Sequence, residues 1–116
     1  HTKYRESFLS DVVDMMKQDG RRHEYADAVR RVARAFNVLI FLRMVNVDGQ
    51  MRRVATEITE LHVDDQGRPS ARPIVLWDYG QKRWTFTGEQ LSMPLRHHLM
   101  SRGATPEEFR ELGVWA

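Results

Sequence analysis

Arginine dominates the residues of this sequence that could do chemistry. Fifteen of the eighteen basic side chains are arginine, and several are neighbours: Arg21-Arg22, Arg30-Arg31 with Arg34, and Arg52-Arg53. A guanidinium fork binds phosphate or carboxylate in two-pronged fashion, which an ammonium cannot do. Acidic neighbours Glu24, Asp27, Glu57 and Glu60 balance these clusters, and the net charge is only +2. Exposed ion pairs of this kind are individually weak, so the first reading of the clusters is a solvated face. The sharper reading takes Arg30, Arg31 and Arg34, on one helix, as contacts for nucleic-acid backbone or an acidic protein partner.

Other reactive types lack the spacing that chemistry needs. Adjacent His97-His98 point about 100° apart on a helix, with no His, Asp or Glu three or four residues away, so no metal site is predicted. His23 and His62 read as turn or strand-end residues, and Ser10 and Ser101 have no neighbouring base. Trp77, Trp84 and Phe86 are expected to fill a core rather than form a stacking platform for bases. No phosphate loop, dinucleotide fingerprint, nucleophile elbow or zinc helix motif occurs. No catalytic residue is therefore assigned, and the chain by itself is expected neither to bind nor to hydrolyse ATP.

The totals describe the platform for these side chains. A length of 116 residues, with 41% hydrophobic and 29% charged, predicts one globular domain spanning 1–116. Zero cysteines removes disulfides, thiolate metal sites and cysteine nucleophiles, and fits a reducing cytosol. No apolar run approaches the roughly 20 residues that cross a bilayer, and no export leader opens the chain. The expected location is cytoplasmic. Because residue 1 is histidine rather than methionine, the chain is expected to be cut from something longer.

Hydrophobic spacing predicts an α+β fold: two N-terminal helices, a mixed or antiparallel sheet of about four strands in two hairpins, and two short C-terminal helices. Phe8, Leu9, Val12, Val13 and Met16 draw an apolar stripe on a first helix, with Ser7 as N-cap and Asp19-Gly20 as the stop. From about Glu24 to Phe36 a second helix turns Tyr25, Val29, Val32 and Phe36 inward. The unbroken apolar run Val38 to Leu42 reads as a strand covered on both faces, at the centre of the sheet. Asp48-Gly49 supplies a tight hairpin turn, and a change of parity between Ile58 and Leu61 predicts a bulge near Thr59-Glu60. A second hairpin turns about Asp78 to Gln81. Leu91, Leu95 and Leu99 mark a helix with Pro94 in its first turn and Gly103 at its end, and Thr105-Pro106-Glu107-Glu108 is a capping box opening the last helix.

Two stretches carry a resemblance. The run Val38-Leu39-Ile40-Phe41-Leu42-Arg43, then Asp48-Gly49-Gln50-Met51-Arg52-Arg53-Val54, then Glu57-Ile58-Thr59-Glu60-Leu61 resembles the closing β-hairpin of type II/type IV secretion ATPases. Leu76-Trp77-Asp78-Tyr79, Trp84-Thr85-Phe86-Thr87-Gly88 and the Leu95 to Gly103 helix are similar to the tail of their pilus-assembly and conjugative-transfer branch. His1-Thr2 looks like the end of that family's histidine box. Asn37 departs from it, standing where the family usually has aspartate, and the nucleotide-binding half is not present.

The resemblance implies the C-terminal part of a RecA-like motor domain in a hexameric ATPase that drives pilus assembly or export. This piece would hold no cofactor, and ATP and Mg would belong to the parent. Its partners would be the remainder of the ATPase, neighbouring subunits and secretion-machinery proteins, with peripheral attachment to the inner membrane through them. Arg43, Arg52, Arg53 and His1 become candidates for nucleotide or subunit-interface contacts, since an arginine from a neighbour can stabilise phosphate charge. The alternative is a small stand-alone binding module built on Arg30, Arg31 and Arg34.

Overall fold

The computed structural model describes residues 4–18, 25–66 and 68–115. His1, Asp19-Gly20, Arg21-Arg22, His23 and Glu24 lie outside these described residues, as do the side chains of Met16 and Tyr25. The order of elements is α1 (Arg5–Gln18), α2 (Tyr25–Ala35), β1 (Val38–Val47), β2 (Gln50–Val63), β3 (Pro69–Asp78), β4 (Arg83–Phe86), α3 (Met93–Ser101) and α4 (Pro106–Glu111). The four strands form one sheet in the order β1-β2-β3-β4, every pair antiparallel. The α+β layout is the expected one, and the sheet is antiparallel throughout.

Helices lie on both faces of the sheet. On one face α1 packs on α2 through Val13, Ala28 and Val32, with Phe8, Leu9, Val12 and Val29 around them, and α2 leans on β2 and β3. On the other face α3 and α4 cover the β3 side through Ile74, Phe109 and Val114. Local signals set the C-terminal helix starts. Ser92 caps α3, accepting from Leu95 N, and Thr105 accepts from Glu108 N while the Glu108 carboxylate accepts from Thr105 N. Ser7, by contrast, is not an N-cap: α1 starts earlier, and the Ser7 hydroxyl donates to the Tyr4 carbonyl.

Three expectations about burial are corrected. The apolar run that reads as the central strand is β1, at the edge of the sheet: Val38, Ile40, Leu42 and Met44 are 39%, 59%, 61% and 55% exposed. An unbroken apolar run shows only that neither face needs to be polar, and here the face that carries Val38, Ile40, Leu42 and Met44 is open. Phe36 follows α2 rather than ending it and is half-exposed, stacked edge-on against Phe8 at 5.5 Å. Of the three hairpin aromatics, Trp77 is buried but Trp84 and Phe86 are half-exposed, because β4 is the other edge.

An irregularity falls at the expected place: between Ile58 and Thr59 the pairing of β2 with β3 skips Ile74, next to Pro73, which has no N–H to offer a ladder. A further one was not expected: between Phe41 and Leu42 the register skips Thr56, whose hydroxyl donates to the Phe41 carbonyl at 3.3 Å. These bends direct the tip of the β1-β2 hairpin over Trp77, which packs with Val45, Val54 and Val47. The molecule is a plate of 48 × 37 × 21 Å with a radius of gyration of 16.3 Å. A compact domain of this length would measure about 13 Å.

Arg5 and Glu57 fasten α1 to the sheet. Arg5 Nε and Nη2 reach the two oxygens of Glu57 at 2.9 and 2.7 Å, and the Thr59 hydroxyl donates to the same carboxylate at 2.6 Å. Bidentate, partly buried pairs of this type are the strong ones. Arg5→Ala is expected to lower stability by about 1.5–3 kcal/mol, read from urea denaturation. A double-mutant cycle with Glu57→Gln tests the assignment, since strictly additive losses would show that the two side chains are not coupled.

Candidate functional site

The projecting hairpin presents the arginines singled out from the sequence, and its register sorts them. Asp48 and Gly49 close it with φ of 53° and 84°, the left-handed pair that a two-residue turn between twisted strands requires. Asn46 Oδ1 accepts from Gly49 N at 2.9 Å. Lys82, on the neighbouring β3-β4 turn, reaches Asp48 Oδ1 at 2.8 Å, and this bond holds the Asp48 carboxyl below the usual carboxylate range. The two turns are thereby tied together.

Arg43 stands opposite Val54, and Arg52 opposite Val45. Residues two apart along a strand share a face, so Arg43 and Arg52 project on the same side of the hairpin. Arg53 stands opposite Met44 and projects on the other side. Adjacency in sequence made Arg52 and Arg53 look like a pair, yet the pleat separates them. All three are exposed. Arg52 donates to Gln50 Oε1 at 3.2 Å, and the Arg43 guanidinium lies 5.9 Å from the centre of the Tyr4 ring.

Beneath Arg43 is a cleft of about 430 Å³ lined by Tyr4, Phe41, Thr56, Leu76, Trp77 and Tyr79, with the Arg5–Glu57 pair in its wall. Tyr4 and Tyr79 are largely exposed and Trp77 is buried at the back. Aromatic planes beside a guanidinium suit a planar or anionic group from a partner. Ser10 and Ser101 donate to the carbonyls of Ser7 and His98.

A second cavity of about 400 Å³ lies where β2 meets α2 and α3, lined among others by Arg34, Asn37, His62, Asp64, Ser92 and His98. Sequence reading missed that His62 and His98 share a cavity, because 36 positions separate them and only the sheet and α3 bring them together. Asp64 is already engaged: its carboxylate accepts from the backbone N–H groups of Arg68 and Gln66 and from Arg68 Nε, and its pKa is lowered chiefly by the Arg68 backbone bond. At the inner wall the Glu60 carboxylate, 1% exposed, accepts from Ser92 N at the start of α3.

Among the helix arginines, Arg30 is paired with Asp27, while Arg31 and Arg34 are exposed and Arg34 borders the second cavity. Among the described residues no group of three His, Asp or Glu side chains could hold a metal ion, and no helix is long and apolar enough to cross a membrane. Compared with protein-family models, curated proteins and solved structures, the chain matches none.

Proposed function

We propose that this chain is the C-terminal portion of a hexameric secretion or pilus-assembly ATPase, where it contributes subunit interface and conformational transmission and leaves hydrolysis to the rest of the protein. The observation that carries the reading is the placement of Arg43 and Arg52 on one exposed hairpin face, above an aromatic cleft. A rigid hairpin tied at its tip by Lys82–Asp48 can hold two guanidinium groups toward a neighbouring subunit. The bend at Thr56 and the Arg5–Glu57 clamp connect that hairpin to α1, so a shift at one end is transmitted to the other.

The test uses the longer protein that carries the nucleotide-binding half. Arg43→Ala and Arg52→Ala are each expected to lower ATP turnover by about 10²-fold, the loss found when a preorganised donor to developing charge is removed. Stability should stay within about 0.5 kcal/mol of the parent, as for other exposed positions. Arg53→Ala, on the opposite side, is expected to have little effect on turnover. Unchanged turnover in both of the first two variants defeats the reading. If instead the Arg30, Arg31 and Arg34 triple alanine variant loses nucleic-acid affinity, with a flatter dependence on salt, the binding-module alternative takes its place.

A further inference from the structure

The open edge of β1 has properties that the motor reading does not use. The carbonyls of Asn37 and Phe41 point inward, accepting from Leu61 N at 2.9 Å and the Thr56 hydroxyl at 3.3 Å. Alternation along the strand then turns the N–H and C=O groups of Val38, Ile40, Leu42, Met44 and Asn46 outward. No neighbouring strand takes them among the described residues. Long edge strands in proteins are blunted by proline, lysine, an inward charge, a bulge or a covering loop. Among the described residues β1 has none of these: its bulged partner is β2, and its one charged residue, Arg43, points to the opposite face.

The same even-numbered residues carry the exposed apolar side chains, so open backbone and open apolar surface coincide. Ile40, Ile58, Val75 and Phe86 stand opposite one another in register and carry this apolar face across all four strands. We infer that a second copy of this chain covers the edge: two β1 strands pair antiparallel about a two-fold axis at Phe41, making one eight-stranded sheet. This is independent of the motor reading.

A strand that is apolar along its length complements itself, and two-fold pairing is the symmetry that repetition of one strand allows. With the axis at Phe41, Ile40 meets Leu42 of the second copy and Val38 meets Met44, each as a hydrogen-bonded pair. The side chains on the open face then become cross-strand neighbours. This register sets Arg43 opposite Leu39 of the other copy, keeping the two guanidinium groups apart. Edge pairing covers the outward peptide groups and only the flanks of Val38, Ile40, Leu42 and Met44, whose face stays open, so it buries less than the roughly 1,200–2,000 Å² of stable specific interfaces. A reversible dimer is expected.

Sedimentation of the chain between about 1 and 200 μM tests this, a range chosen for the weak end of association. The weight-average mass should rise toward twice the monomer. Leu42→Pro should abolish the rise, because the Leu42 N–H points to the open edge and its loss breaks no bond to β2. Ile40→Lys, at an exposed position, should do the same if the proline variant fails to fold. The chain has no cysteine, so a single Phe41→Cys variant should cross-link to itself under oxidation, the two Cα atoms lying about 4.5 Å apart across a non-hydrogen-bonded pair. A chain that stays monomeric throughout, a dimer that persists in both edge variants, or open-ended polymers would each overturn the two-fold pairing.

Discussion

Replacing Glu60 by alanine is expected to cost about 3–5 kcal/mol, because removing one partner of a buried charge pair leaves the other uncompensated. The carboxylate is 1% exposed, and its oxygens accept from Ser92 N at 3.0 and 3.3 Å. Arg72, its cross-strand neighbour, approaches with Nη2 at 3.5 Å, and Arg72 Nε and Nη2 are buried without a hydrogen-bond partner. Alanine would therefore strand a guanidinium and release the backbone N–H that starts α3. Against a typical domain stability of about 5–15 kcal/mol this is a large fraction. Urea denaturation reads the loss, and amide exchange at Ser92 and Leu95 should accelerate along with it. Glu60→Gln keeps an acceptor for Ser92 and should cost less. An alanine variant within about 0.5 kcal/mol of the parent would remove Glu60 from the core assigned to it here.

Trp77→Ala is the second large effect expected, about 3–5 kcal/mol for loss of a buried tryptophan and the cavity left behind. Trp77 packs beneath the hairpin with Val45 and Val54, and its ring meets Trp84 edge-on at 5.0 Å. Trp84 is held in turn by a hydrogen bond from its indole N–H to the Ala55 carbonyl at 2.8 Å. Removing Trp77 takes away the support on which Arg43 and Arg52 stand, so the near-ultraviolet dichroism of the indole pair and the melting temperature should both fall. Trp77→Phe refills part of the space and should recover part of each. Because Trp84 is half-exposed, Trp84→Ala is expected to cost far less than Trp77→Ala; equal losses would show that the hairpin does not rest on Trp77.

Turns and the C-terminal helix starts were legible because each is decided by a few consecutive residues. Asp48-Gly49 closes a hairpin since its two positions need positive φ, and Thr105 to Glu108 opens α4 by satisfying backbone N–H groups within one turn. The antiparallel hairpins follow from those turns. Ser7 shows the limit of the same reasoning, for a capping residue type can sit inside a helix and bond its preceding turn instead.

What the sequence by itself determined was the order and type of the elements and the alternation of side chains along each strand. Whether β1 lay at the centre or at the edge was decided by how many strands stand beside it, and no property of Val38 to Leu42 contains that number. The bulge at Thr56 depends on the partner strand, so it settled only with the pairing, which also puts Arg52 on the same side as Arg43. Glu60 looked like one more surface acid among arginines. It became a buried anchor because β3 and the start of α3 close over it, and His62 came to share a cavity with His98 by the same closure. Contacts between residues distant in the chain depend on which surfaces the packing brings together, and local propensity carries no record of them.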